Sequence, residues 1–497
     1  MRAVLVGRPL RPGAGRGKIA PLFGSMRSRA RETFRGTKSF ARALGLAAGL
    51  LAPALHGADD HVGVCAHFDQ GWDPARLMPL IADAGAGWIR DGVPWADVEP
   101  ARHRYVIPAR LTAWLDAARA RHLHVLLLLG YGNKIYADPF SPPDYAAAAA
   151  FLATRLAGRI DALEVLNEPN NPDFGPTYGG KWNGKEDDGS VSPYVRAYAK
   201  VLAATVAAVK TANPRMKVVG YGAPAPATFR MMALGVPPRL DGITDHPYSG
   251  GAKLPELIPY AATPDLLQRD GIATADAQGT YRSQCGMFRA QAAKFGLPNA
   301  PLWNTEWGYS TAVTATPDEK VVTPEAQAVY ILRRLLEARA LGVQTFYYVF
   351  RDDGGDPAQE WQNFGLVDIN LKPKPAFFAF QRFTRMFAKL EGDGTADGFE
   401  LHGVAPAETR CYAYHRNGSA DKWIACWRVA PAPSSVPGAT SAPPWELRPP
   451  AGTHWNRLSA LSLADGTPVH LTSSPGPGGG LLLPAGAREP VVVRFVP

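Results

Sequence analysis

The stretch ALEVLNEPN, Ala162 to Asn170, is a short apolar run that stops at Asn-Glu-Pro, residues that end a strand and begin a turn. Seven further runs share that form. Val62 to Phe68 (VGVCAHF), Gly87 to Asp91 (GWIRD) and His124 to Gly130 (HVLLLLG) precede the strand read over Ala162 to Asn167. Lys217 to Gly222 (KVVGYG), Gly242 to His246 (GITDH), Pro301 to Trp307 (PLWNTEW) and Val343 to Phe350 (VQTFYYVF) follow it. Short apolar runs bounded by turn residues read as strands buried on both faces. Longer Ala-, Leu- and Arg-rich stretches lie between them, such as Asp144 to Leu156, Val195 to Ala212 before the Asn213-Pro214 stop, and Pro324 to Leu341 before Gly342. Eight strand–helix units in alternation predict an α/β chain closed into a TIM (β/α)8 barrel over residues 59–390. The longest connections follow strands four and six, at the strand ends where this fold carries its functional loops.

After Leu390 the texture changes to β-rich runs broken by Pro and Gly: Thr409 to His415, Trp423 to Val429, Trp445 to Leu447, Val469 to Thr472, Gly480 to Leu483 and Pro490 to Val496. A small C-terminal β-sandwich over 391–497 is expected, with the Pro-rich stretch Ala430 to Pro444 as a surface loop. Cys411 and Cys426 flank Asn417-Gly418, a hairpin signal, so they can face each other on paired strands as a disulfide or as two buried thiols. Cys65 and Cys285 read as core or loop thiols. Four cysteines without CxxC spacing form neither a disulfide scaffold nor a metal knuckle.

The formal charge of +9 suggests nucleic acid until its distribution is inspected. Eleven of the 53 basic residues but only one of the 44 acidic ones lie in Met1 to Ala58, leaving 42 against 43 in the remainder. The near-neutral remainder argues against a nucleic-acid partner. The basic segment is followed by the apolar run Ala43 to Leu55 (ALGLAAGLLAPAL) and the small residues Gly57 and Ala58, the three-part form of a secretory signal. Residues 1–58 are therefore expected to be a leader directing the protein to the periplasm or outside the cell. Met26 is an alternative start. An apolar run shorter than the ~20 residues that span a bilayer does not predict a permanent membrane anchor.

The chemistry is read first from Asn167-Glu168-Pro169, placed by its strand at the barrel's C-terminal rim. Three strand–helix units later, Trp303-Asn304-Thr305-Glu306-Trp307 repeats the arrangement of an apolar run ending in a carboxylate. Two carboxylates at one barrel mouth are what glycoside hydrolysis needs, one to protonate the leaving oxygen and one to attack or stabilise the oxocarbenium-like centre. Two rim carboxylates held in salt bridges are the alternative. No metal and no cofactor is expected. HExxH is absent, the pair His122-Leu123-His124 enters strand three at the opposite face, and no Gly-rich phosphate loop accompanies a βα turn.

The residues EVLNEPN (Glu164 to Asn170), DHPYSGG (Asp245 to Gly251) and WNTEWGYS (Trp303 to Ser310) resemble strands four, six and seven of clan A glycoside hydrolases. Within that clan the chain is most similar to glycoside hydrolase family 39 and its biofilm-exopolysaccharide endoglycosidases. WIRDGVPWADVEP (Trp88 to Pro100) and YYVFRDDGGDPAQEWQNFGLVDINLKPKPAFFAF (Tyr347 to Phe380) extend the resemblance over the whole barrel. It implies Glu168 as acid/base, Glu306 as nucleophile, and Asn167 as partner of the sugar 2-hydroxyl. It further implies His246 and Tyr248 as lining of the catalytic subsite, with the Tyr hydroxyl orienting the nucleophile, and Arg90 as its cationic neighbour. Arg90 also fits a core ion pair, and His246 a structural histidine; Glu164, four residues before Glu168 on the same strand face and so deeper in the barrel, reads as structural. Trp307 and Trp182 join the expected substrate-binding set. Many clan members end strand eight in a Trp that floors the subsite; here Tyr347, Tyr348 and Phe350 occupy the region.

Phe174, Tyr178 and Trp182 in the insert Asn171 to Pro193, with Tyr131 and Tyr136 after strand three, can build several sugar subsites or simply pack their own loops. The first reading favours a long cleft, an endo-acting enzyme and a polysaccharide or oligosaccharide substrate. On that reading, exopolysaccharide synthesis and export machinery are expected as associated partners. Exo-action, transglycosylation, and a glycan-binding barrel without catalysis remain alternatives at this stage.

Overall fold

In the computed structural model eight parallel strands close on themselves: β1 (Asp59–Cys65), β2 (Ala86–Pro94), β3 (His124–Gly130), β4 (Ala162–Val165), β5 (Lys217–Tyr221), β6 (Gly242–Asp245), β7 (Leu302–Trp307) and β8 (Val343–Tyr347). The last pairs back on the first, with Val62 opposite Thr345, so no edge remains. The structure describes residues 58–497 apart from 172, 250–253, 314–320, 433–444, 451–452, 454, 456, 474–479 and 485–487. Residues 1–57 of the leader and most of the Pro-rich stretch Ala430 to Pro444 therefore lie outside the described residues. No helix among the described residues is long and apolar enough to cross a membrane.

β1 starts three residues before the apolar run that marked it. Asp59 is polar but fully buried, because Arg339 accompanies it as an ion-pair partner. At the other end, β8 stops at Tyr347 rather than Phe350, and β2 runs on to Pro94. Inside the barrel, Trp88, Trp303 and Phe346 form one layer, with ring centroids 5.4 to 6.2 Å apart. Gly63 and Gly242 make room for it; a Cβ on Gly63 would lie 2.4 Å from the Phe346 ring, and one on Gly242 2.5 Å from Trp303. Side chains alternate along strands, so two residues further on the interior receives Cys65, Arg90 and Thr305. The β7–β8 register shifts between Asn304 and Trp307, and this irregularity lets Glu306 as well as Thr305 serve the barrel mouth.

The C-terminal part is a β-sandwich of two antiparallel sheets. One contains β9 (Glu391–Thr395), β11 (Thr409–His415), β12 (Lys422–Arg428), β14 (Arg457–Ser462) and β17 (Val491–Val496); the other contains β10 (Glu400–His402), β13 (Trp445–Arg448), β15 (Thr472–Ser473) and β16 (Leu481–Leu483). Ile424, Cys426, Val493 and Phe495 meet Trp445, Leu447, Leu481 and Leu483 between the sheets. Cys411 and Cys426 stand opposite each other in the β11–β12 register and are joined as a disulfide, Cα atoms 4.3 Å apart. Asn417-Gly418 sits in the turn between these strands, with Gly418 at φ +77°. β9, β10 and β14 carry no continuous apolar run, which is why pattern alone passes over them.

The opposite face of the five-stranded sheet packs on the barrel, chiefly on the helix Pro324–Ala340. This helix is buried on all sides, charges included. Arg333 makes two 2.6 Å bonds to Glu256 and one of 2.8 Å to the Ala430 carbonyl, while Trp427 donates to Glu256 at 2.6 Å. Tyr412 bonds Glu337 at 2.5 Å, and Tyr414 the Leu336 carbonyl at 2.9 Å. Buried charges are tolerated because each is met, Arg333 and Arg339 by carboxylates, Glu337 by Tyr412, and Arg334 by the Pro247 and Pro255 carbonyls; removing one partner strands the other. Glu256→Ala is therefore expected to destabilise the protein by about 3–5 kcal/mol, read as a fall in the unfolding midpoint, whereas Glu256→Met combined with Arg333→Met is expected to recover much of the loss.

Candidate active site

β4 delivers the first carboxylate through a bend. Leu166 (φ 60°) and Glu168 (φ 41°) are non-glycine residues in the left-handed region, a conformation that costs about 1–3 kcal/mol each and persists where surrounding bonds impose it. Those bonds are the Leu166 amide to the Leu129 carbonyl at 3.2 Å and the Asn171 amide to the Glu168 carbonyl at 2.7 Å. The Asn171 side chain also donates to Glu168 Oε2. On β6, His246 and Tyr248 follow Asp245, and Arg334 holds their loop with bonds of 2.9 Å to the Pro247 carbonyl and 2.6 Å to that of Pro255.

Arg90 connects the parts. Its Nε donates to Glu164 Oε2 at 2.5 Å, one terminal nitrogen to Glu306 Oε2 at 3.2 Å, and the other to Asn167 Oδ1 at 2.8 Å. Burial works against its charge, but Glu164, with Glu306 adding to it, more than offsets that and keeps the guanidinium protonated. Arg90 is thus both the core ion pair and the neighbour of Glu306. The second Glu306 oxygen accepts from Tyr248 at 2.8 Å, whose hydroxyl is pushed far above its ordinary pKa by burial and by Glu306 itself.

His246 lies between the two rim carboxylates. Nδ1 is 2.8 Å from Glu168 Oε1 and 3.9 Å from Glu306 Oε2, and Nε2 is 3.1 Å from Thr305 Oγ1. Thr305 donates its own proton to Glu164 at 2.7 Å, so towards His246 it can only accept, and Nε2 carries a hydrogen. A second proton is then shared between Nδ1 and Glu168. Burial opposes the imidazolium, yet Glu306 and then Glu168 raise its pKa above the ordinary value. Oxygen or nitrogen atoms of Glu168, His246 and Glu306 lie within 4.8 Å of one another, a spacing that also suits a cation. Both Glu306 oxygens already accept from Arg90 and Tyr248, however, and a cation there would stand beside a fixed guanidinium.

These groups open into a cleft of about 660 Å³ at the C-terminal strand ends, bounded by His67, Asp69, Asp91, Tyr131, Tyr348 and Trp361 among others. Asp91 is buried, accepts from the Phe68 and Gly92 amides at 2.6 Å each, and has its pKa raised by burial and by Asp69 beside it. His67 bonds Asp353 at 2.7 Å and meets the Tyr348 ring edge-on at 5.6 Å. Tyr131, 51% exposed, and Trp361, 55% exposed, offer aromatic surface at the rim.

Of the residues singled out from sequence, Arg90, Asn167, Glu168, His246, Tyr248 and Glu306 come together. Trp307 does not join them: it is buried outside the mouth, its indole donating to Thr345 at 2.6 Å and its ring against Tyr347 and Arg334, so no face is open to a ligand. Trp182 stands on the insert after β4, 44% exposed with Arg269 over its ring, and is not part of the cleft lining. Tyr136, Phe174 and Tyr178 pack their loops, Tyr136 on Trp95 and bonded to Glu99, Phe174 buried against Phe140, and Tyr178 bonded to Asp138. Of the strand-eight aromatics, Tyr347 and Phe350 are buried and Tyr348 reaches the cleft. Sequence reasoning passed over His67, Asp91, Thr305, Asp353 and Trp361; His67 lies just past the end of β1, where the barrel rule points, and Asp91 ends the run Gly87 to Asp91 although β2 continues to Pro94.

In a histidine-resolved NMR titration, His246 is expected to lose its proton above the ordinary value of 6.5, and Glu306→Gln to lower that midpoint. With the folded pKa raised, the stabilisation tied to this proton is complete below the unfolded value and fades as pH rises through the folded one. A midpoint at or below the ordinary value would remove the shared-proton arrangement.

No protein-family model matches the chain, and no curated protein matches it. Among solved structures it is similar to a family 39 glycoside hydrolase from the gut symbiont Bacteroides cellulosilyticus, at 21% identity over 88% of this chain and 81% of that one, with a TM-score of 0.65. It is also similar to a monomeric beta-xylosidase from Caulobacter crescentus (17% identity, 88% and 96% covered, TM-score 0.52). A glucosidase from Croceicoccus marinus gives 13% identity, 89% and 96% coverage and a TM-score of 0.53. At these identities the likeness is one of fold: a TIM barrel with an appended β-domain.

Proposed function

We propose that the chain is a retaining glycoside hydrolase in which Glu306 is the nucleophile and Glu168 the general acid and base. The observation that carries this reading is the approach of the two carboxylates, with oxygens within 4.8 Å, at the cleft formed by the strand ends. Retaining enzymes hold the pair about 5–5.5 Å apart, while inverting ones leave about 6.5–9.5 Å for a water. In the first step a Glu306 oxygen bonds the anomeric carbon as the glycosidic C–O bond breaks, and Glu168 passes its proton to the departing oxygen. In the second, Glu168 takes a proton from water, whose oxygen bonds the anomeric carbon and releases Glu306. Arg90 and Tyr248 orient Glu306 with one donor on each oxygen, and His246 keeps a proton within reach of Glu168. Arg90 holds Asn167 by Oδ1, leaving its Nδ2 to donate to a sugar hydroxyl.

The substrate in this reading is a polysaccharide of the bacterial exopolysaccharide class, cut internally. Support comes from a cleft of about 660 Å³ whose lining reaches beyond the catalytic pair to the exposed Tyr131 and Trp361, whose ring faces suit sugar rings. The basic, then apolar, leader supports action in the periplasm or outside the cell, close to the machinery that makes and exports such polymers.

On a panel of bacterial exopolysaccharides the protein is expected to shorten at least one polymer, with proton NMR of the first product showing the starting anomeric configuration. Glu168→Gln is expected to lower kcat/KM by roughly 10²–10⁴-fold and Glu306→Gln at least as much. Undiminished cleavage by both variants, or an inverted product, overturns the mechanism; release of single sugars alone overturns internal cutting, and transfer to added sugar in preference to water makes it a transglycosylase. EDTA treatment is expected to leave the rate unchanged, whereas loss restored by a divalent cation makes Glu168, His246 and Glu306 a metal site.

A further inference from the structure

A second cavity, of about 510 Å³, lies where the helix Pro375–Phe387 faces the five-stranded sheet, away from the catalytic cleft. Its sheet side follows from register. Trp423 on β12 pairs with Arg494 on β17, which pairs with Ser459 on β14, and Leu461 pairs with Val492, so these residues share one face. Its helix side is Arg382, Arg385 and Met386, three and four residues apart and so adjacent on the helix surface. Arg416 enters from the turn between β11 and β12. Four arginines therefore line one cavity, and none of its lining residues is acidic.

The engagement of these guanidinium groups differs. Arg494 is committed to Asp421, and Arg385 reaches Asp83 at 3.3 Å; both carboxylates stand outside the lining. Among the described residues Arg382 is bonded through Nε, at 3.0 Å to the Leu463 carbonyl; burial works against its charge, and Asp465 partly offsets that. The Arg416 guanidinium lies 5.4 Å from the centre of the Trp423 ring, which meets Arg494 at 5.2 Å. Arg382 and Arg416 thus bring planar donor groups to a cavity where the half-buried Leu461 and Met386 offer apolar surface beside Ser459, over the buried Leu463 and Val492. A guanidinium fork matches a carboxylate in two parallel bonds, and an apolar floor matches the C–H face of a sugar ring.

We propose that this cavity is an accessory binding site for an acidic saccharide, with the sugar ring against Leu461 and Met386 and its carboxylate held by Arg382 and Arg416. The site is independent of the catalytic reading and gives the β-sandwich a role in retaining an anionic glycan. Inorganic phosphate shares the charge but not the ring, so a site built for saccharide takes it more weakly.

The test is isothermal titration of the full chain with tetragalacturonate at low and moderate salt, beside a neutral tetrasaccharide and inorganic phosphate, in Arg416→Gln, Arg382→Gln/Arg416→Gln and Glu306→Gln. Saturable binding of the uronide that weakens with salt is expected. Arg416→Gln and the double variant should lower affinity by roughly tenfold or more per guanidinium removed, with Glu306→Gln leaving it unchanged. Arg416 lies exposed on a turn, so its variant keeps the test decisive should the double variant unfold. The proposal fails if the uronide does not bind, if Arg416→Gln binds it as tightly at an unchanged melting temperature, if Glu306→Gln abolishes binding, or if phosphate or the neutral sugar binds as well.

Discussion

A guanidinium enclosed in a β-barrel is tolerable only when its donors are met, and Arg90 meets three groups that the chain supplies from far apart: Glu164, Asn167 and Glu306. The pair with Glu164 lies one layer above the Trp88–Trp303–Phe346 packing and is sealed from water. Once that pair is in place, the remaining nitrogens of Arg90 have fixed directions, and they set where Asn167 and Glu306 can stand. Removing either buried charge strands its partner at a cost of several kcal/mol. The structural and functional claims on Arg90 are therefore one claim.

Above this pair the charges are coupled through a proton. Thr305 gives its hydroxyl hydrogen to Glu164, which obliges His246 to face it with Nε2–H and turns Nδ1 towards Glu168. The proton between Nδ1 and Glu168 is held in a site bearing several carboxylates and one fixed cation, so it is retained to higher pH than an isolated imidazole would allow. A group poised to give and take a proton beside a second, fully ligated carboxylate is the division of labour that double displacement requires.

The second domain is tied to the first through a buried helix rather than through a linker. Arg333, Glu337 and Arg339 on Pro324–Ala340 pair with groups from Asp59, Glu256, Tyr412 and the Ala430 carbonyl. A helix so charged looks amphipathic and half-exposed by pattern. It is buried because the sandwich covers the side that a lone barrel would leave to water.

Alternation of short apolar runs with helical stretches determined the eight strands, since a parallel strand buried on both faces leaves that mark in any sequence. The carboxylates Glu168 and Glu306 were legible as strand-end residues, and Arg90, Asn167, His246 and Tyr248 through the motifs around them. What remained to tertiary structure was direction. Trp307 and Glu306 are neighbours in sequence, yet the shift in the β7–β8 register sends one behind the strand and the other to the mouth. Trp361, far along the strand-eight loop, reaches the cleft, while Tyr136, Phe174 and Tyr178 turn into their own loops. Residue type and spacing specify which chemistry is available, but which side chains converge is decided by packing between segments distant in the chain, and no local pattern encodes that.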